Sequence, residues 1–145
     1  SNDEEMAHGF TYAGHPVAAA VALKNIEIME RDGLVGDAAQ DRIDYFQSQI
    51  RTLEDHPLIG QVRGLGFLGG LQMVADKETR KAFVSEVDIG YRCRENCFNN
   101  GLVMRAVGDS MVLSPPLIIT KEQIDELVTK ARYALDLTAK EVGYM

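Results

Sequence analysis

The chain has 145 residues, enough for one domain with a real core, and its 46% hydrophobic and 26% charged content is that of an ordinary globular protein. A net charge of −7, with no lysine- or arginine-rich run, argues against a nucleic-acid binder, which needs a basic patch to displace counterions. The longest apolar run, residues 16–23, falls far short of the roughly 20 residues a membrane helix needs, and no basic-apolar-small leader pattern is present.

Residues 1–5 have no apolar period and read as a loose lead-in. The first methionine is Met6, so the chain is expected to be cut from, or made as part of, something longer. His8-Gly9-Phe10-Thr11-Tyr12-Ala13-Gly14-His15-Pro16 follows, a glycine-bracketed turn running into a helix. Pro16 suits a first helical position, where its missing N–H costs nothing. Gly9 and Gly14 permit backbone angles and close approaches that bulkier residues forbid. A hydroxyl on such a turn, with a helix behind it, suits an anion such as a phosphate, although most turns of this kind bind nothing.

From Pro16 a helix rich in alanine and valine is expected up to Gly33, its first half apolar nearly all round and so buried on more than one side. A second helix over 36–54 carries one stripe, Ala39, Ile43, Phe46, Ile50 and Leu53, with Arg42, Gln49 and Arg51 mostly in water. His56-Pro57 ends it. Residues 58–74, rich in glycine, read as one strand or as two pieces with a bulge. Arg63-Gly64-Leu65-Gly66 superficially suggests a phosphate loop, but no lysine-serine pair follows.

A charged turn at 76–80 precedes a helix over 87–99, ended by Asn99-Asn100-Gly101. Cys93 and Cys97 lie four apart on it; a disulfide there would strain the helix, and they read as small buried hydrophobes. His8, His15 and His56 have no zinc-type spacing to them, so no metal is expected. Residues 102–105 read as a short buried strand, Val107-Gly108-Asp109-Ser110 as a hairpin turn, and 111–114 as the return strand. Thr120 and Gln123 form a capping box for a last helix striped with Ile124, Leu127, Val128, Ala131, Ala134 and Leu135. The fold class expected is α+β: a small, mostly antiparallel sheet covered by helices, preceded by a long linking helix. The organisation expected is a loop and linking helix at 1–33 and a small domain at 34–145.

Several blocks together resemble the class III aminotransferases, fold-type I enzymes dependent on pyridoxal 5′-phosphate (PLP). They are the His8 to Pro16 motif, Val62-Arg63-Gly64-Leu65-Gly66, Gly69-Gly70, Gly101-Leu102-Val103-Met104-Arg105, Gly108-Asp109 and Leu113-Ser114-Pro115-Pro116-Leu117. Gly14-His15-Pro16 is similar to the ω-amino acid:pyruvate branch, and Ala13 stands where serine is commoner.

The resemblance implies a C-terminal part of a cytoplasmic, homodimeric transaminase that moves an amino group from an amine or ω-amino acid to a keto acid such as pyruvate. It implies that Thr11, with Phe10 beside it, contacts the PLP phosphate across a dimer interface; otherwise Thr11 is a turn hydroxyl bonding its own backbone. It implies that Arg105 binds the substrate carboxylate, against the plainer reading of a strand-end surface ion pair. Lys24 reads as surface, and the resemblance places the Schiff-base lysine upstream, so no catalytic residue is expected here and the chain alone is expected to be inactive. His15 reads as a neighbour of the helix cap and Tyr12 as interface packing. The rival readings are a non-catalytic dimerisation module, or part of a PLP decarboxylase or aminomutase of the same fold.

Overall fold

A computed structural model describes residues 9–144. The lead-in at 1–5 and His8 lie outside the described residues. The chain divides into two compact units, one ending at Ala38 and the other beginning at Ala39.

The first unit is a turn followed by helix α1, Pro16–Arg31. Proline holds the first helical position, and His15 is itself the N-cap: its Nδ1 accepts from the Ala18 N–H at 3.2 Å. Gly33, at φ +61°, closes the helix. Its N–H reaches the Glu30 carbonyl and the Leu34 N–H reaches Met29, the paired bonds of a Schellman turn. No residue of α1 is buried, contrary to the expectation of cover on more than one side. Val17, Val21 and Leu23 are each more than 60% exposed. Apolar periodicity shows which surface wants cover but not what supplies it.

After a 3₁₀ turn at Gly36–Ala39, where the units divide, the second unit has α2 (Gln40–Arg51), the 3₁₀ turn Thr52–Asp55, then strands β1 (Ile59–Leu65) and β2 (Leu68–Met73). Helix α3 (Ile89–Asn99), strands β3 (Arg105–Val107) and β4 (Ser110–Leu113), and helix α4 (Lys121–Glu141) complete it. The four strands form one antiparallel sheet in the order β1-β2-β4-β3. Residues 58–74 are therefore a hairpin, with a register shift between Ile59 and Gln61. Both hairpins, β1-β2 and β3-β4, place a positive-φ glycine, Gly66 and Gly108, first in a two-residue turn.

Leu71 and Met73 of β2, and Met111 and Leu113 of β4, alternate onto one face of the sheet and are buried. The α2 stripe (Ala39, Phe46, Ile50, Leu53) and the α4 stripe (Ile124, Ala131, Leu135) join them in one core. The α+β class read from the sequence holds. The Thr120–Gln123 capping box is complete, with both reciprocal bonds formed. Arg42 departs from its expected place in water: it is half-buried, donates to the Leu117 carbonyl at 2.7 Å and lies over the Phe67 ring.

The strand expected at 102–105 begins only at Arg105. The Leu102 N–H reaches back to the Cys97 carbonyl and the Gly101 N–H to Phe98, so these residues close α3 rather than join the ladder. Val103, expected in a buried strand, is 80% exposed.

At the other end of α3, a β-carbon on Gly90 would stand 2.0 Å from the Gly108 carbonyl oxygen. Only a residue without a side chain lets the helix meet the hairpin turn there. Gly90→Ala is expected to destabilise the chain by about 1–3 kcal/mol, the usual cost of overpacking; urea unfolding measures it.

His56 is buried, and its Nδ1 accepts from the Leu58 N–H at 3.2 Å. That places the proton of the neutral ring on Nε2, which lies 3.3 Å from Asp136 Oδ1 but off line for a hydrogen bond. Burial pushes the His56 pKa below its ordinary 6.5, with Asp136 opposing the shift. The unfolded chain therefore binds the proton more readily, and stability contributed above that ordinary value falls as pH drops below it. Unfolding free energy is expected to decrease between about pH 7.5 and pH 5.5. His56→Asn, which keeps an acceptor near Nδ1, is expected to flatten that slope in urea melts.

Candidate functional site

The sheet buries one face and leaves the other open. Period-two alternation sets the side of every strand residue, and the register places Arg63, Gly70, Val112 and Arg105 in one row across all four strands. Met111 and Leu113 flank Val112 and point into the core, so this row lies on the open face. Arg105 occupies the edge strand β3 and is exposed. Among the described residues its guanidinium has no hydrogen bond or ion pair; the surface ion pair considered for it does not form.

Arg63 shares that row, exposed and likewise without a partner among the described residues. Adjacent strands lie about 4.8 Å apart, so the two arginine backbones are about 14 Å from each other. Gly70 between them adds no side chain. The rest of the open face is neutral: Gln61, Leu65, Leu68, Gln72 and Val107 accompany Ser110, whose hydroxyl donates to Gln72 Oε1 at 2.7 Å. A chain of net charge −7 thus presents, among the described residues, two unpaired guanidinium groups on a sheet face without a carboxylate. Such a face suits an anionic group, which an arginine can grip with two parallel bonds. The sequence reading passed over Arg63 as a site residue; alternation from the half-buried Val62 would have placed it.

Beside Arg105 runs an open groove of about 590 Å³, walled by Leu102, Val103, Met104, Leu113, Pro115 and Leu127. Lys130 also lines it and is held by Glu126 at 2.7 Å.

Phe10 and Thr11 belong to the first unit. The Ala13 N–H donates to the Phe10 carbonyl at 2.8 Å, closing a tight turn with Thr11 and Tyr12 at its tip. Gly14 follows at φ +76°. Phe10 and Tyr12 are 75% and 82% exposed. The Thr11 hydroxyl makes no hydrogen bond among the described residues, so it does not bond its own backbone. It is an exposed donor on a turn that feeds a helix N-terminus, a chemistry that fits a phosphate oxygen.

Lys24 is exposed and paired with Glu27 at 2.7 Å, as a surface lysine is expected to be. Cys93 and Cys97 are both buried and unbridged. Among the described residues no group of three or more histidine, cysteine or acidic side chains could hold a metal ion, and no helix is long and apolar enough to cross a membrane.

Arg105→Ala is expected to change unfolding free energy by less than about 0.5 kcal/mol, because the side chain supports nothing in this unit. A loss above about 1 kcal/mol in urea melts would give the arginine a structural role instead.

Comparison with known proteins gives a consistent picture. The sequence profile described as "Aminotransferase class-III" matches residues 2–135. The putrescine–pyruvate aminotransferase of Pseudomonas aeruginosa is 51% identical over 138 residues, which cover 95% of this chain and 30% of that protein. The diaminobutyrate–2-oxoglutarate transaminase of Halomonas elongata is 35% identical over 134 residues, 90% of this chain and 28% of its own. Among solved structures, the PMP-bound aminotransferase from Vibrio fluvialis superposes with a TM-score of 0.86 at 37% identity, over 96% of this chain and 30% of that one. The chain spans about 30% of the length of the relatives it matches.

Proposed function

This chain belongs to the class III aminotransferase family, and from that premise we propose that it supplies the carboxylate-binding arginine and a phosphate contact to a PLP-dependent transaminase. The reaction moves an amino group from an amine or ω-amino acid to a keto acid such as pyruvate. The observation that carries this reading is Arg105: exposed, without a carboxylate partner among the described residues, at the edge of an open sheet face.

Arg105 holds the carboxylate of the keto acid by paired N–H···O bonds and so orients the carbonyl carbon. The Thr11 hydroxyl, with Phe10 beside it in the chain, would donate to the cofactor phosphate. PLP, when bound, supplies the electron sink for the bond broken at the amine carbon. The lysine that carries the cofactor is not among this chain's residues in the present reading; Lys24 is occupied by Glu27. The working enzyme is read as a homodimer, with Thr11 serving the neighbouring subunit's phosphate. Its cytoplasmic placement is part of the same proposal, two cysteines being too few for a secreted disulfide scaffold.

The test is kinetic, in a polypeptide that carries these residues at the full length of the relatives. Arg105→Ala is expected to lower kcat/KM for a keto acid by about 10–100-fold, the worth of a lost charge-assisted pair. The half-reaction with an amine lacking a carboxylate is expected to stay near wild type. Equal losses in both half-reactions would refute the assignment. The 145-residue chain with added PLP is expected to show no turnover.

A further inference from the structure

The open sheet face carries a second cation besides Arg105. Arg63, on the edge strand β1, is exposed and has no hydrogen bond or ion pair among the described residues. Its register with Gly70, Val112 and Arg105 makes one row from edge to edge, with a guanidinium at each end. No polar side chain stands between them. Gly70 has none, and a β-carbon built on it would meet only the Arg63 carbonyl oxygen, at 3.9 Å. Val112 is apolar and half-buried. The row is thus a shallow apolar track closed by a cation at either end.

The length of that track selects a ligand. Three interstrand steps put the two arginine backbones about 14 Å apart. Strand side chains stand roughly perpendicular to the sheet, so the guanidinium groups keep about that separation. Sheet twist splays their tips by a few ångströms, within the freedom of the arginine side-chain torsions. A paired N–H···O clamp holds guanidinium and carboxyl carbons about 4 Å apart. The carboxyl carbons of an extended five-carbon diacid lie about 5 Å apart. A diacid clamped at both ends therefore spans about 13 Å, close to the separation that the row provides. A single carboxylate engages one end only.

On the basis of the carboxylate role of Arg105, we propose that Arg63 is a specificity residue that binds a second carboxylate, and that the acceptor it favours is a five-carbon dicarboxylic keto acid. Arg105 holds the carboxylate next to the carbonyl, Arg63 holds the distal one, and the methylenes between lie along Gly70 and Val112. An acceptor without the distal carboxylate forgoes one of two charge-assisted clamps, a difference on which a polar site can discriminate strongly. A monocarboxylate remains a substrate, because Arg105 alone orients its carbonyl.

The experiment compares two acceptors of equal carbon count, 2-oxoglutarate and 2-oxopentanoate, with pyruvate as reference, in a polypeptide that carries these residues at the full length of the relatives. kcat/KM for 2-oxoglutarate is expected to exceed that for 2-oxopentanoate by about 10–100-fold. Arg63→Gln is expected to abolish this preference, with pyruvate and 2-oxopentanoate within about twofold of wild type and the thermal melt unchanged. Arg63→Lys is expected to restore part of the preference, since it keeps the charge but not the fork. Arg105→Ala is expected to lower kcat/KM for all three acids. No preference in the wild type, or a preference that survives Arg63→Gln, overturns the role of Arg63 and leaves that of Arg105 standing. Equal losses for all three acids in Arg63→Gln, or a lowered melt, also overturn it and make the arginine an anchor for another segment of the polypeptide. If Arg105→Ala leaves all three acids unaffected, the underlying carboxylate assignment fails, and this inference with it.

Discussion

The structure of the larger unit depends on a sheet that can be buried on one face only. Leu71, Met73, Met111 and Leu113 carry the apolar side and are essentially inaccessible. Helices α2 and α4 meet them through Phe46, Ile50, Ile124 and Leu135. Burial on this scale contributes about 25 cal/mol per Å² of apolar surface removed from water, and it is available in one register only. Slipping β4 by one residue would turn Met111 and Leu113 outward and bring Ser110 and Val112 toward the core. The same constraint that builds the core therefore holds Arg63 and Arg105 on the open side.

Small residues make that packing close. A β-carbon on Gly69 would fall 2.9 Å from Ile50 Cδ1, so α2 sits against the sheet at a distance a larger residue would prevent. Gly90 does the same for α3 and the β3-β4 turn. The end of α3 then decides where β3 begins. Because the Leu102 N–H is committed to the helix cap, the ladder cannot start before Met104 has turned inward. Arg105 is the first residue free to pair, opposite Val112. A helix terminus thus sets the phase of the strand that carries Arg105.

Unpaired guanidinium groups on an acidic protein carry a physical implication. Surface arginines commonly find a carboxylate, as Arg132 finds Asp55 and Arg31 finds Asp32 in this chain. Arg63 and Arg105 lie instead among glutamines, a serine and apolar residues. An arginine left without an internal partner has no ion pair to break before it grips an external anion, so less of the binding free energy goes into rearrangement.

Much of this was legible before any coordinates. Helical stripes at 39–53 and 124–135, the capping box at Thr120, the helix stops at Gly33 and Gly101 and the turn at Gly108 are local signals, and each depends on residues only a few positions apart. The family itself was likewise visible, through blocks such as His8 to Pro16 and Gly101 to Arg105. Sequence alone could not give the start of β3, the hairpin within 58–74, the half-burial of Arg42 or the shared row of Arg63 and Arg105. Those follow from hydrogen bonds and contacts between residues far apart in the chain, such as Arg42 with Leu117 and Arg63 through Gly70 and Val112 to Arg105. Local pattern determined which elements form and where they stop; the pairing of distant strands decided which side chains face water together, because register is a property of the partner strand as much as of the strand itself.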